Sequence, residues 1–168
     1  MISNEYINLL DRLEYRERNV QQAWDRFVYE YHNSGNIESA LIYMAEVIYS
    51  RIAFTNNTSF YLMLDKAREL HKRKNAGYSG VDNPDPWHNF RACNAFGISA
   101  VDGCITRMCD KYQRYLNVSS NPYNEQVHES INDTLEDLAA YALILVCLLR
   151  EQNKPFDGLQ NYEYAVAI

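Results

Sequence analysis

The sequence lacks the features of a membrane protein and of a secreted, disulfide-rich protein. No apolar run reaches the ~18–20 residues of a membrane-spanning helix, and the N-terminal residues have neither the basic nor the apolar stretch of a secretory signal. The four cysteines form no CxxC pair and have no regular spacing; they are Cys93, Cys104, Cys109 and Cys147. We therefore expect a soluble cytoplasmic protein whose cysteines are reduced core thiols rather than ligands of a structural zinc.

An excess of positive charge is also missing. The chain has 16 Lys and Arg residues against 22 Asp and Glu residues, which gives a net charge of -6. This balance does not suit a protein that binds polymeric nucleic acid or an anionic membrane, because both recruit basic patches. The sequence also has no glycine-rich phosphate loop and no His-Asp doublet, and its histidines are too scattered to form a metal site.

What the sequence does contain is helical periodicity. Apolar residues recur every three or four positions over 3–32, 38–54 and 60–74, and turn residues separate these stretches at 34–36 and 55–59. No part of this half has the alternating pattern of a strand. The sequence therefore predicts an all-α fold.

The length indicates one domain. A chain of 168 residues with 47% hydrophobic residues can bury a core without disulfides or metals. Within the single domain we distinguish N-terminal helices (1–59), a helical core that holds the candidate catalytic residues (60–150) and a C-terminal tail (151–168).

Residues 99–149 predict two consecutive helices that carry rows of carboxylates. Ser99 is a good N-cap for the first helix, and the run 138–149 is apolar almost all round, which is typical of a central buried helix. Residues four apart lie on one face of a helix. The first row contains Asp102 and Asp110, and the second contains Glu129, Asp133 and Asp137.

Two interpretations of these rows remain open. Like charges on one helix face repel by roughly a few tenths of a kcal/mol, so a row of carboxylates beside an apolar face indicates a bound cation. Alternatively, the helix dipole favours acids in a first turn, and a helix that begins near Asn124 or Glu125 would have Glu129 and Asp133 there. The dipole does not explain Asp137, which directly precedes the apolar run and needs a partner if it is partly buried.

The segment 75–91 holds two glycines and two prolines, and it predicts an ordered loop or lid instead of a continued helix. It is rich in rings and hydrogen-bonding groups, namely Tyr78, Trp87, His88, Asn89 and Phe90. Stacking surfaces beside polar groups are the combination needed to hold a planar base. The alternative for Trp87 and Phe90 is that they plug the end of a helical bundle.

Basic residues lie close in sequence to the carboxylate rows and to the ring-rich segment 75–91. Lys74 ends a basic run, and Arg107, Lys111 and Arg114 lie three or four residues apart beside Asp110. Interleaved charges of this kind can be surface ion pairs, which contribute ~0–1 kcal/mol each. Next to carboxylates they also suit a phosphate chain bridged to Mg²⁺, with lysine as a point charge and arginine as a fork.

Four motifs recur together in one known family. They are K-x-x-x-Y (Lys74 to Tyr78), W-x-N-F (Trp87 to Phe90), D-K-x-x-R (Asp110 to Arg114) and E-x-x-x-D-T-L-x-D-L-x-x-Y (Glu129 to Tyr141). In this combination the chain resembles the MazG-like all-α NTP pyrophosphatases, nearest the phage-associated branch called the nucleotide modification associated domain. The resemblance covers about residues 60–150 and does not extend to the helices of 1–59.

The resemblance implies an antiparallel bundle of about five helices, assembled as a homodimer or homotetramer. It also implies that Mg²⁺, or Mn²⁺ in its place, binds a (deoxy)nucleoside triphosphate and activates water to give the monophosphate and pyrophosphate. The implied metal ligands are Asp102, Asp110, Glu129, Asp133 and Asp137, of which the last four are also catalytic. Such an enzyme would act in phage nucleotide-pool control or DNA base modification, in the host cytoplasm.

The implied nucleotide contacts form two sets. The phosphate-binding residues are Lys74, Arg91, Arg107, Lys111 and Arg114, and the base-binding residues are Tyr78, Trp87, His88, Asn89 and Phe90. The family pattern is E-x-x-E on one helix and E-x-x-D on the next, whereas the acids here follow four-residue steps on the second helix. Two alternatives to hydrolysis therefore stand: a non-catalytic nucleotide-binding protein and a purely structural helical bundle.

Overall fold

The fold consists of helices joined by short connections. A computed structural model describes residues 3–17, 19–124 and 129–153, and in these ranges it has seven α-helices, two short 3₁₀ helices and no strand. The α-helices are α1 (Asn4–Asp11), α2 (Val20–His32), α3 (Ile37–Thr55), α4 (Phe60–Ser79), α5 (His88–Arg91), α6 (Ala100–Ser120) and α7 (Ile131–Gln152). The prediction of an all-α protein is confirmed. The described helices outnumber the predicted five because the first predicted helix is split and a short helix forms at 88–91.

Serine and asparagine caps set the positions at which six helices begin. The capping residues are Ser3, Asn19, Asn36, Ser59, Ser99 and Ser130, and each side chain accepts a hydrogen bond from the backbone N–H three residues later. A cap of this kind stabilises a helix by ~0.5–2 kcal/mol. The cap predicted at Ser99 is confirmed.

Helix α7 is the centre of the molecule. Every residue from 142 to 148 is buried, and α7 packs most extensively on α6 and α3. The buried central helix inferred from the apolar run is therefore confirmed. Its start is not where we expected it: α7 begins at Ile131 behind the cap Ser130, so Glu129 precedes the helix. Of the two predicted starts, Asn124 ends a short 3₁₀ helix (Pro122–Asn124), and Glu125 lies outside the described residues.

The predicted helix over 3–32 is interrupted between α1 and α2. In the connection, the Glu14 N–H donates to the Glu46 carboxylate, and the Arg16 N–H donates to the Ser50 hydroxyl at 3.0 Å. Both acceptors are buried on α3. Because these long-range bonds occupy backbone donors that a helix would use internally, the connection crosses α3 in a non-helical conformation.

Helix α4 is longer than predicted. It continues past Lys74 through Gly77 to Ser79 and ends at Gly80, whose φ of +90° favours glycine. A glycine inside a helix costs only about 1 kcal/mol relative to alanine, and the prolines at 84 and 86 lie beyond the helix end. The extension places Asn75 and Tyr78 on the same helix as Lys74.

The structure can be compared with two expectations from the sequence, which concern the cysteines and membrane-spanning helices. All four cysteines are free; Cys104 and Cys147 are buried as predicted, whereas Cys109 is exposed on α6 and is not a core thiol. Within the described ranges, no helix combines the length and the hydrophobicity that crossing a membrane requires.

Candidate functional site

A pocket of about 360 Å³ lies between α4, α7, α6 and the segment 87–90. Helix α4 contributes His71, Lys74, Asn75 and Tyr78, and helix α7 contributes Asp137, Ala140, Tyr141 and Ile144. Both sets have spacings of three, one and three, which place four residues on one face of a helix. The remaining wall consists of Trp87, Asn89, Phe90 and Arg107.

The pocket has a polar rim and an aromatic floor. At the rim, Tyr78 is 70% exposed, and the Lys74 side chain is partly exposed. At the floor, Trp87 is 1% exposed, and Phe90 and Ile144 are also buried. An elongated ligand with a charged end and a planar end would match this division.

Asp137 is held by two lysines. The Lys74 ammonium donates to Oδ1 of Asp137, and the Lys111 ammonium lies 2.8 Å from Oδ2. Burial lowers the pKa of each lysine, but the hydrogen bond with Asp137 and its charge outweigh burial, so both pKa values lie above the ordinary value. Lys111 also contacts Glu129 at 3.0 Å. Both lysines are therefore cationic, and Asp137 has the partner that its partial burial requires.

Arg107 provides the second positive charge on the pocket wall. Its guanidinium lies over the Phe90 ring, with 4.5 Å between the guanidinium carbon and the ring centroid, and Nη2 donates to the Asn89 carbonyl at 3.4 Å. These contacts leave it without a carboxylate partner among the described residues. A guanidinium held against a ring in this way suits an anionic ligand.

Two predicted phosphate-binding residues have structural contacts elsewhere. Arg91 bridges Asp85 and Glu151, at 2.8 Å and 2.7 Å, and so ties the segment before α5 to the end of α7. Arg114 donates to the Thr134 hydroxyl and the Glu129 carbonyl. Neither lines the pocket, because each is used to join α7 to a neighbouring segment.

Four of the five predicted base-binding residues line the pocket, and the fifth, His88, is exposed outside it. Trp87 packs with Tyr6 and Phe90 in the core, with ring centroids 6.1 Å and 6.5 Å away. Its burial supports the plug interpretation. Since Trp87 also faces the pocket, stacking on a base stays a prediction.

The carboxylate rows do not converge. Asp102 is exposed in the first turn of α6, where Ser99 donates to it, and Asp133 completes a capping box with Ser130 at the start of α7. Capping therefore accounts for Asp102 and Asp133; the helix-dipole interpretation named Glu129 and Asp133, but Glu129 precedes the helix. Asp110 is exposed, and Glu129 pairs with Lys111. Among the described residues, no group of three or more His, Cys, Asp or Glu side chains is arranged to hold a metal ion.

Three polar residues of the pocket were not among the predicted site residues: His71, Asn75 and Tyr141. A signal for them exists, because they lie three or four residues from Lys74, Tyr78 or Asp137 and so share a helix face with a predicted residue. We missed Asn75 because the helix was predicted to end at Lys74.

A second, more open concavity of about 550 Å³ lies beside α3 and the connection between α1 and α2. We call it the α3 groove. It is lined mainly by charged side chains, among them Arg12, Arg16, Arg26, Glu38 and Glu46. None of the predicted site residues lines this groove.

The sequence matches no protein-family model, and comparison with curated proteins and with solved structures found no similar protein. The class that the fold defines is therefore an all-α protein with a charged and aromatic interhelical pocket. The resemblance to the MazG-like pyrophosphatases stays a prediction.

Proposed function

We propose that the α4–α7 pocket binds a (deoxy)nucleoside triphosphate and that the protein cleaves it to the monophosphate and pyrophosphate. One observation carries this proposal. Residues that the sequence suggested for phosphate binding, Lys74 and Arg107, line the same pocket as those suggested for base binding, which are Tyr78, Trp87, Asn89 and Phe90.

The charged rim supplies the phosphate contacts. Lys74 and Arg107 line the pocket, and Lys111 reaches it through Asp137. Phosphate oxygens would compete with Asp137 for the two ammonium groups, because charge-assisted hydrogen bonds to phosphate are among the strongest in proteins. A bound triphosphate would thus release Asp137 from its lysine partners.

Magnesium fits as part of the substrate. Mg²⁺ at phosphate sites is commonly held by one or two carboxylates, water and phosphate oxygens. Asp137 lines the pocket, whereas the described residues offer no cluster of three or more ligands. One carboxylate of this kind fits an ion that arrives with the nucleotide, and it does not fit a preformed metal cluster. Such an ion would neutralise phosphate charge.

The chain's own part in the reaction is to bind and to orient. Water adds to the α phosphorus, and pyrophosphate leaves with the bridging oxygen of the broken anhydride. Asp137 is the carboxylate that lines the pocket, so we assign it the contact with the attacking water or the substrate's ion. Asp110, Glu129 and Asp133 do not line the pocket and receive no direct role.

A non-catalytic nucleotide-binding protein is the second candidate. It is favoured by the pairing of Asp137 with both lysines, since a carboxylate held in this way is not poised for a metal or a water. In this alternative the lysines and the aromatic floor bind the nucleotide, and no bond is broken.

A substrate screen separates the two candidates. Canonical and modified nucleoside and deoxynucleoside triphosphates are incubated with the protein and Mg²⁺ or Mn²⁺, and monophosphate and pyrophosphate are quantified. Release of both products supports hydrolysis. Thermal stabilisation by a nucleotide without product supports the binding protein, and the absence of both effects contradicts both candidates.

We also propose that the chain forms a homodimer or homotetramer. Large aromatic side chains are exposed on several helices and turns, among them Tyr29, Tyr61 and Tyr123. Tyrosine suits surfaces at which one end of the ring becomes dry. Light scattering is expected to give an even multiple of the 19.6 kDa chain mass; an active species of one chain mass would contradict this proposal.

A further inference from the structure

The floor of the pocket contains a histidine that the proposed phosphate contacts do not use. His71 is 8% exposed and stacks on Tyr6, with ring centroids 3.9 Å apart and an interplanar angle of 14°. The Trp87 ring centroid lies 6.1 Å from that of His71. Stacking therefore holds the imidazole in a fixed orientation at the buried end of the pocket.

One nitrogen of this ring lacks a partner. Nε2 of His71 is buried and has no hydrogen-bond partner among the described residues. Burial, and to a lesser degree Lys74, lowers the pKa of His71 to about 4, so the ring is neutral near pH 7. A neutral imidazole offers one donor and one acceptor nitrogen. Buried polar atoms are nearly always paired, so an unpaired one at a pocket points to a ligand.

Several other pocket groups are already paired or carry a full charge. The amide oxygen of Asn89 accepts from the Ser79 hydroxyl at 3.2 Å. Lys74 and Arg107 are cations, which suit phosphate oxygens better than the edge of a neutral heterocycle. Among the side-chain atoms that line the pocket, Nε2 of His71 is the buried one that has no hydrogen-bond partner within the described residues.

We propose that His71 hydrogen-bonds the edge of the nucleobase and thereby determines which base the pocket prefers. This inference rests on the proposed function, because it takes the planar end of the ligand to be a base. A base that enters the pocket displaces the solvent above the floor and brings its edge to the imidazole. A site built to bond a polar edge rejects a ligand that lacks the matching group.

The test compares the wild type with His71→Phe, which keeps a ring to stack on Tyr6 and removes both nitrogens. The four deoxynucleoside triphosphates and inorganic triphosphate are titrated by calorimetry, and His32→Phe, at the exposed end of α2, is the control. We expect His71→Phe to weaken the preferred nucleotide about tenfold and to level the ranking of the four bases. Affinity for inorganic triphosphate and the melting temperature are expected to be preserved.

A second measurement does not depend on the folding of the variant. In the wild type, the ¹⁵N resonance of His71 Nε2 is expected to shift with the preferred nucleotide and not with inorganic triphosphate. A folded His71→Phe variant with the wild-type base ranking, or an Nε2 resonance that responds alike to both ligands, overturns the role of His71 and leaves the proposed function standing. A wild type that binds no nucleotide overturns the proposed function, and this inference with it.

Discussion

The α3 groove and the α4–α7 pocket are both charged, but they use their charges differently. In the groove, the Glu46 carboxylate accepts from the Glu14 N–H and from Arg16, and Arg26 donates to Ser39 while lying over the Tyr43 ring. In the pocket, the Lys74–Asp137 pair lies beside aromatic walls, and His71 has a nitrogen without a partner.

The difference is between a buried polar group whose contacts account for its burial and one that lacks such contacts. Glu46 is 4% exposed, and its contacts fix the connection between α1 and α2 on α3, so its burial has a structural cause. In the pocket, by contrast, Nε2 of His71 is buried and has no hydrogen-bond partner among the described residues. Concavity and charge alone therefore do not distinguish the pocket from the groove; the unpaired nitrogen of His71 does.

Trp87 is part of the hydrophobic core and also lines the pocket. We therefore expect its removal to have the largest effect. Truncation of a buried tryptophan to alanine costs ~3–5 kcal/mol, so Trp87→Ala should lower the free energy of unfolding by about this amount and also flatten base preference. Trp24→Ala, a partly buried tryptophan away from the pocket, should cost less and leave nucleotide affinity unchanged. Urea denaturation measures the loss of stability, and a separate titration of the folded variant with each nucleotide measures the base preference. If Trp87→Ala is as stable as the wild type, Trp87 does not contribute to the core as described.

His71 should make the fold sensitive to acid. Its pKa falls from the ordinary 6.5 to about 4 in the folded protein because it is buried and faces the Lys74 charge. Between pH 6.5 and about 4, His71 is protonated in the unfolded chain but neutral in the folded protein. The free energy of unfolding therefore falls as the pH drops through this range. The full loss is about 3 kcal/mol, from 1.36 kcal/mol for each pKa unit.

The measurement is the unfolding free energy at pH 7 and pH 4 in the wild type and in His71→Phe. Carboxylates titrate in both proteins, so only the difference between them reports on His71. We expect a smaller acid-induced loss in the variant, whereas His32→Phe should behave as the wild type. Equal losses in all three proteins would show that His71 does not titrate as described.

A substitution in the α3 groove should lower the stability of the protein and leave its nucleotide affinity unchanged. Glu46→Leu leaves the partly buried Glu14 N–H without its acceptor, which costs ~1–3 kcal/mol. Nucleotide affinity should be unchanged, and the exposed control Glu17→Gln should alter stability by less than ~0.5 kcal/mol. Thermal unfolding and calorimetry provide the two readouts. Loss of nucleotide affinity in a folded Glu46→Leu variant would break the distinction between the two regions.

The helices were predictable because their determinants are local. Periodic apolar residues and caps such as Ser99 lie within a few positions of the helices that they define. The break after α1 was not predictable, since it depends on Glu14 meeting Glu46, 32 residues away in the chain. The helical turn at 88–91 was missed because nearby prolines favoured a loop.

The site was predictable only in part for the same reason. The basic run identified Lys74, the ring-rich segment identified Tyr78 and the spacing along a helix identified Asp137, and these three residues do share a pocket. Spacing does not tell which way a helix faces its neighbour, so it also selected Asp102 and Asp133, whose carboxylates interact with the capping serines of α6 and α7. His71 lies three residues before Lys74, and only its burial and its unpaired nitrogen distinguish it.

The central claim, that the rim of the α4–α7 pocket binds phosphate, is tested most directly by one calorimetric comparison. Lys74→Ala removes a cation that lines the pocket, and Lys72→Ala removes an exposed cation of the same helix that pairs with Glu69. A charged hydrogen bond is worth ~1.5–3 kcal/mol, so Lys74→Ala should weaken binding of the preferred Mg²⁺-nucleotide by roughly 10- to 150-fold, with Lys72→Ala near the wild type. Equal affinities for the wild type and the two variants would contradict the claim.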